Sequence, residues 1–141
     1  MLIGEFLHNI DKKGRVFVPA KLREDLGERF VVSRGLDGAH CLAIYAPAEW
    51  EKLKERIAGL SYVNAKKLQR FLFSGATELE SDAQGRVLLP QNLREYAGLE
   101  DSAYIIGASD RVEIWSRAEW EKQREEMTSE NIAELMQSID F

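Results

Sequence analysis

The sequence is poor in the residues that usually build cross-links, metal sites and membrane spans. It has one cysteine, Cys41, which excludes an intramolecular disulfide and a zinc site built from several cysteines. With only His8 and His40 beside that cysteine, we expect no structural metal site. The apolar runs are far shorter than the roughly 20 residues that a membrane helix needs. The first residues lack the basic flank and apolar stretch of an export signal, so we expect a cytoplasmic protein.

Motifs for phosphate binding and nucleophilic catalysis are also missing. The sequence has no glycine-rich phosphate loop, no pair of histidines at metal-ligand spacing and no serine in a nucleophile-elbow context. Cys41 directly follows His40, and adjacent residues of a strand point to opposite faces, so the two cannot act together. We therefore expect no enzyme, no catalytic residue, no cofactor and no small-molecule substrate.

The overall composition is typical of a soluble folded domain. The chain has 141 residues, of which 45% are hydrophobic and 30% charged, and this excludes a mainly disordered protein. Its net charge of −5 excludes a histone-like polycation but allows a local basic patch. Residues 113–141 contain eight acids and three bases, whereas residues 1–34 contain seven bases and five acids. A basic N-terminal part and an acidic C-terminal part would orient a bound polyanion, although charge also fluctuates along any chain.

The chain contains an internal duplication. Residues 11–27 match residues 82–98 at an offset of 71, with nine identities in seventeen positions. Residues 44–52 match residues 114–122 at an offset of 70. Two matching blocks in the same order are typical of a repeated unit. Because two copies are too few for a solenoid, we expect a pseudo-two-fold pair of half-domains that share one core.

Periodicity and turn residues assign the same order of elements, ββαββα, to each copy. Pro19 and Pro90 suit the first turn of a short helix, and Gly27 and Gly98 suit its end. The sequence therefore predicts an α+β fold of two duplicated half-domains. The expected divisions are a first repeat at 5–47, connecting helices at 48–75, a second repeat at 76–119 and an acidic helical segment at 120–141.

The most distinctive motif is Asp-x-x-x-Arg, which occurs in both copies on the turn between the first two strands. Its residues are Asp11, Gly14 and Arg15 in the first copy and Asp82, Gly85 and Arg86 in the second. The aspartate can cap such a turn by hydrogen bonding to the backbone two residues on, and the glycine supplies a positive φ. The turn would return the chain as a β-hairpin. The arginine either reaches back to the carboxylate or contacts a ligand.

Two lysines favour a binding role for the first turn. Lys12, Lys13 and Arg15 place three cations on one protruding ribbon, whereas the second copy has Ala83 and Gln84 at the turn. A two-stranded ribbon fits the major groove, where arginine can bond guanine in bidentate fashion and lysines can contact phosphates. The predicted DNA-binding residues are Arg15, Lys12 and Lys13, with Arg86 as a secondary contact. Arg23 and Arg94 also correspond, but their place at a helix end favours pairing with neighbouring acids.

These motifs together resemble the MraZ family of bacterial transcriptional regulators. The resemblance covers residues 1–122. It rests on the repeated Asp-x-x-x-Arg turn with the proline and helix that follow it, on the segment Phe-Ser-Gly-Ala at 73–76 and on residues 89–98. It implies tandem AbrB-like swapped-hairpin units that form a β-barrel with peripheral helices. It also implies a ring-shaped homo-oligomer, often an octamer, whose first hairpin contacts DNA. The implied target is a set of short G-rich direct repeats in the promoter of the protein's own division and cell-wall operon.

We therefore expect a DNA-binding transcriptional regulator that associates with the nucleoid. It acts either as a repressor or as an activator. Its expected partners are double-stranded DNA and further copies of itself, with no membrane involved. Two alternatives stay open at this point. One is an AbrB-type protein-binding or antitoxin-like module, and the other is a purely structural oligomer whose hairpins pack between subunits.

Overall fold

The computed structural model describes residues 1–139, which form the mixed α+β structure that the sequence predicts. Short helices begin directly after Pro19 and Pro90, which occupy the N-cap and not the first helical turn that the sequence predicts. The carbonyl of each proline accepts the first hydrogen bonds of its helix. The elements are β1 (Leu2–Asn9), β2 (Arg15–Phe17), α1 (Ala20–Leu26), β3 (Arg29–Arg34), β4 (Leu42–Tyr45), α2 (Pro47–Ala58), α3 (Tyr62–Ser74), β5 (Thr77–Glu80), β6 (Arg86–Leu88), α4 (Gln91–Tyr96), β7 (Ser102–Ser109), β8 (Val112–Trp115), α5 (Arg117–Glu126) and α6 (Ser129–Met136).

Strands of the two copies are interleaved in one antiparallel sheet of order β1-β7-β8-β4-β3-β5. The first strand of each copy pairs with the third strand of the other, β1 with β7 and β5 with β3. The fourth strands, β4 and β8, pair with each other at the centre. The two copies are therefore joined along the whole sheet rather than packed as separate halves.

The strands that flank the first turn separate soon after it. They share an isolated bridge between Ile10 and Val16, and β2 then pairs with β6 of the other copy. The expected continuous hairpin is not formed, and β1 pairs instead with β7 over eight residue pairs. Val16 and Val87 pair at the middle of the β2–β6 ribbon, and both are buried.

Within residues 1–139 the main sheet is open, so the prediction of a closed β-barrel is wrong. Closure would require hydrogen bonds between the outer strands β1 and β5, which are the two edges of the sheet. The β2–β6 ribbon lies between the copies instead, with β2 in contact with β1 and β6 in contact with β5. Since each ribbon strand has only three residues and pairs with its counterpart, it leaves the two sheet edges unjoined.

The core draws on both copies. Leu22 of α1 and Leu93 of α4 are fully buried at equivalent positions, and Ile44 and Ile114 of the central strands are fully buried between them. Burial of an aliphatic side chain of this size stabilises a fold by about 1.5–3 kcal/mol. Because these side chains meet in one cluster, the main core is shared by the two copies, as the sequence predicts. A second, smaller cluster groups Cys41 with side chains of the second copy, namely Tyr104, Ile106, Trp115 and Trp120.

The last two helices, α5 and α6, differ in how they contact the sheet. In α5, Trp120 is buried beside Trp115 and Tyr104 of the sheet, and its indole N–H donates to the Glu5 carboxylate of β1. Helix α6 buries none of its residues. The acidic segment 120–141 includes the end of α5 and all of α6, and its last two residues lie outside the described part of the chain. None of the helices in residues 1–139 has the length and hydropathy of a membrane span.

Candidate nucleic-acid interface

The turn between β1 and β2 is organised by the Asp11 carboxylate. Its Oδ1 accepts hydrogen bonds from the backbone N–H groups of Lys13 (3.0 Å) and Arg15 (2.9 Å). Its Oδ2 accepts a bond from Nε of Arg15 at 2.6 Å. The N–H of Gly14, at a φ of 91°, donates to the Asp11 carbonyl. One side chain thus holds both the backbone of the turn and the arginine that follows it.

The turn between β5 and β6 has the same geometry. Oδ1 of Asp82 accepts from the N–H groups of Gln84 and Arg86, each at 2.9 Å, and Oδ2 accepts from Nε of Arg86 at 2.9 Å. Gly85 has a φ of 82° and donates its N–H to the Asp82 carbonyl. The repeated sequence motif therefore produces the same local structure twice.

These bonds lower the pKa of both aspartates below the ordinary value of 3.8. The N–H of Arg15 makes the largest contribution at Asp11, and the N–H of Arg86 does so at Asp82. Desolvation opposes the shift, and the arginine side chains add to it. Donors of this kind lower a carboxyl pKa because they bind the ionised form more strongly.

Acid is therefore expected to loosen both turns. A lowered folded-state pKa gives a stabilising contribution that is complete above the unfolded value of 3.8 and is lost as the pH falls through the folded value. Backbone amide shifts of Lys13 and Gln84, followed by NMR during acidification, should titrate below that value. Asp11→Asn should abolish the titration at Lys13 and preserve it at Gln84. Amide shifts that stay constant in acid would contradict the assignment.

The outer face of the β2–β6 ribbon presents both motif arginines. Val16 and Val87 point into the core, so side-chain alternation turns Arg15 and Arg86 outward, with 31% and 30% of their side-chain surfaces exposed. A terminal guanidinium nitrogen of Arg86 lies 3.9 Å from Oδ2 of Asp11, across the two copies. Because β2 and β6 are antiparallel and each follows its turn, the two turns lie at opposite ends of this short ribbon.

The two ends of the ribbon differ in charge. Lys12 and Lys13 are exposed at the first turn and make no ion pair within residues 1–139. Ala83 and Gln84 are exposed at the second turn. The terminal nitrogens of Arg15 make no hydrogen bond within the described residues, since its recorded bond uses Nε. The structure thus brings the three predicted DNA-binding cations together at one end of the ribbon.

Arg23 and Arg94 do not pair with acids in the described structure. Nε of Arg23 donates to the carbonyl of Val18 at 2.8 Å, and Nε of Arg94 donates to the carbonyl of Leu89 at 2.9 Å. Each guanidinium also lies against the glycine of the other copy's turn. The sequence-based expectation that they pair with neighbouring acids is therefore wrong. Both arginines lie at the same distance from the preceding proline, and this repeated spacing indicates an equivalent contact in the two copies.

The remaining candidates for chemistry lie apart from the turns. Cys41 is buried, and desolvation is the main cause that raises the pKa of its thiol to about 12, so the thiol is protonated at neutral pH. The exposed His40 ring stacks on Tyr96 with 4.7 Å between the ring centroids. No group of three or more His, Cys, Asp or Glu side chains in residues 1–139 is arranged to hold a metal ion.

Comparison with known proteins identifies the family. The family profile described as "MraZ protein, putative antitoxin-like" matches the chain twice, at residues 1–71 and at residues 72–139. The chain belongs to the MraZ family. This result confirms the resemblance found from the sequence motifs, and the two matches agree with the internal duplication.

Several MraZ relatives are similar over nearly the whole chain. The transcriptional regulator MraZ of Heliobacterium modesticaldum is 51% identical, covering 100% of this chain and 99% of its own. That of Acetivibrio thermocellus is 49% identical with 96% of both chains covered, and that of Desulfitobacterium hafniense is 55% identical with 85% and 84% covered. These names describe regulators and not enzymes, in agreement with the expectation that this chain is not an enzyme.

One solved structure aligns with this chain at a low TM-score. The solution structure of PHS018 from Pyrococcus horikoshii aligns with 81% of this chain and 88% of its own, at a TM-score of 0.31 and 13% identity. A TM-score of that size does not establish a common fold.

Proposed function

We propose that this MraZ-family chain is a sequence-specific DNA-binding transcriptional regulator that reads DNA with its first turn. The observation that carries the proposal is the joint placement of Lys12, Lys13 and Arg15 at one exposed end of the β2–β6 ribbon. The names of the relatives support the regulatory role. The proposed target is a set of short G-rich direct repeats in the promoter of the protein's own division and cell-wall operon, which places the protein at the nucleoid.

The Asp11–Arg15 contact suits the reading of guanine. Because Nε is bonded to Asp11, the side chain is held in position while its two terminal nitrogens keep their donors for the O6 and N7 atoms of guanine. Holding the side chain in advance reduces the conformational entropy that is lost when DNA binds. The two possible roles of Arg15, pairing with the carboxylate and contacting a base, are therefore compatible.

The lysines and the second turn take supporting roles. Lys12 and Lys13 contact phosphates and fix the register of the turn on the duplex. Arg86 has the same carboxylate support from Asp82 but no lysines beside it, so it makes a secondary contact.

We further propose that the interleaved strands are two AbrB-like swapped-hairpin units. The exchange of partners in the pairs β1–β7, β5–β3 and β2–β6 supports this interpretation. Residues 5–47 and 76–119 then form the two repeats, with residues 48–75 as connecting helices and residues 120–141 as an acidic appendage. A ring-shaped homo-oligomer, such as an octamer, would present several first turns to successive DNA repeats, and avidity would compensate for the small contact of each.

A mobility-shift assay tests the proposal. The full chain should retard DNA taken from upstream of its own gene and leave a shuffled duplex of equal length and composition unbound at the same concentration. Equal retardation of both duplexes would contradict sequence-specific binding.

The family description includes the term antitoxin-like, which suggests a protein-binding function as the alternative. Failure to bind either duplex, together with co-purification of a small toxin, would favour that protein-binding function instead.

Lys12→Ala is expected to weaken specific and non-specific DNA binding about equally. Lys12 would neutralise one phosphate and release its counterion, so in the variant the negative slope of log affinity against log salt should become shallower by about 0.9. Fluorescence anisotropy titrations at several salt concentrations measure this slope. Gln84→Ala, which removes an exposed side chain of the second turn without changing the charge, is the matched control. A loss confined to the specific duplex would instead make Lys12 a base-reading residue.

A further inference from the structure

The tip of each turn is bonded to the other copy of the repeat. The carbonyl of Gly14 accepts a hydrogen bond from the N–H of Leu89 at 3.0 Å. The carbonyl of Gly85 accepts one from the N–H of Val18, also at 3.0 Å. Leu89 and Val18 are both fully buried, so these donors are fixed by the core. Each turn therefore has its position set partly by the copy to which it does not belong.

Arg94 completes this contact at the first turn. Its Nε donates to the carbonyl of Leu89, the residue whose N–H bonds to Gly14. A Cβ placed on Gly14 would lie 2.6 Å from both Nε and Cζ of Arg94. The flat guanidinium thus lies directly on the backbone of Gly14, which stands between Lys13 and Arg15 in the sequence. The positive φ favours glycine there, and a Cβ would in addition displace the Arg94 side chain.

Arg23 makes the equivalent contact at the second turn. Its Nε donates to the carbonyl of Val18, and a Cβ on Gly85 would lie 2.7 Å from its Cζ. Its guanidinium also lies 5.6 Å from the centroid of the Phe17 ring. The turn that it holds carries no lysine. The duplication therefore supplies two matched contacts, of which one holds the cationic turn.

We propose that Arg94 is a positioning residue for DNA binding, acting from the second copy on the turn of the first. This inference rests on the proposed function, in which the first turn reads DNA. Arg94 holds Gly14, and the hydrogen bonds around Asp11 transmit that position to Lys13 and Arg15. The second copy therefore contributes to DNA binding mainly through a helix residue that fixes the neighbouring turn.

The guanidinium group is what this role requires. It is planar, it bonds the Leu89 carbonyl through Nε and it covers Gly14 with the rest of its surface. A lysine ammonium can donate a hydrogen bond but has no flat surface to lie on the turn. Charge alone would therefore not replace Arg94.

The test compares Arg94→Ala with its counterpart Arg23→Ala in the full chain. The two substitutions remove equivalent contacts, so we expect similar decreases in melting temperature. Affinity for the upstream DNA should fall about tenfold for Arg94→Ala, because the cationic turn is no longer held in its binding position, and less than about twofold for Arg23→Ala. Equal losses of affinity would show a merely structural role and would overturn the proposal.

Arg94→Lys separates positioning from charge. We expect it to bind DNA as weakly as Arg94→Ala while keeping the salt dependence of the unmodified protein. Full recovery of affinity with lysine would show that Arg94 acts through its charge and would overturn the proposal. Should the alanine variants fail to fold, Arg94→Lys and Arg23→Lys provide the same comparison.

Glycine amide signals separate this inference from the proposed function. In protein labelled with ¹⁵N-glycine and without DNA, Arg94→Ala should shift the Gly14 amide and spare Gly85, and Arg23→Ala should do the reverse. If these shifts occur but the unmodified chain does not bind its upstream DNA, the proposed function fails and the positioning of the turn stands. If the unmodified chain binds DNA and Arg94→Ala alters neither the Gly14 amide nor the affinity, the positioning role fails.

Discussion

Replacement of Arg15 by alanine is expected to cost about 1–3 kcal/mol of binding free energy for each turn that occupies a DNA repeat. The substitution removes the two terminal nitrogens that remain available for guanine after Nε has bonded Asp11. In an assembly that engages several repeats at once, the losses combine and the affinity of the whole complex falls further. Titration of upstream DNA by fluorescence anisotropy measures the effect.

Two variants make this prediction specific. Arg15→Lys keeps the charge but cannot form the bidentate contact, so it should recover only the sequence-independent part of the affinity. Arg86→Ala removes the matched arginine at the other end of the ribbon and should have a smaller effect. Circular dichroism establishes that each variant is folded. Unchanged affinity in folded Arg15→Ala protein would exclude the proposed base contact.

Gly107→Ala is expected to lower the free energy of unfolding by about 3 kcal/mol, at the upper end of what overpacking usually costs. A Cβ at Gly107 would lie 2.3 Å from the backbone nitrogen of Ile3 and 2.5 Å from its Cα. These atoms belong to the paired strand β1, in which Gly4 is opposite Gly107, so a local side-chain adjustment cannot relieve the clash. The strand must move, and it also carries Glu5, which bonds Trp120 of α5. Urea denaturation measures the loss.

Gly59→Ala is the control for this substitution. Gly59 ends α2 with a φ of −78°, and a Cβ there would lie 3.5 Å from the nearest atom, the carbonyl oxygen of Arg56. An alanine fits that conformation and reduces the entropy of the unfolded chain, so stability should stay constant or rise by up to about 1 kcal/mol. Equal effects of the two substitutions would contradict the steric argument.

Local signals in the sequence predicted the elements and the turns closely. The predicted order ββαββα is found in both copies, because alternation and flanking turn residues are properties of neighbouring positions. The Asp-x-x-x-Arg segments form turns in which the aspartate bonds the backbone two residues on. The grouping of Lys12, Lys13 and Arg15 also depends only on a short stretch of chain.

Strand partners were not predictable in the same way. The turn residues predict a hairpin of β1 with β2, whereas the structure pairs these strands with β7 and β6. Only the family resemblance, with its swapped-hairpin units, implied pairing between the copies. A strand of one copy can form similar hydrogen bonds with its own neighbour or with a strand of the other copy. The choice depends on which pairing buries both sets of apolar side chains in one core. The contacts of Arg23 and Arg94 with distant glycines follow from that choice.

The amino-acid pattern alone was sufficient for the duplication, the order of elements and the position of the cationic turn, since each is encoded by residues close together in the chain. Only the tertiary structure decided that the sheet is open, which strands pair and that Arg94 contacts the first turn. Backbone hydrogen bonds are similar for every pair of antiparallel strands, so the burial of a common core selects the partners.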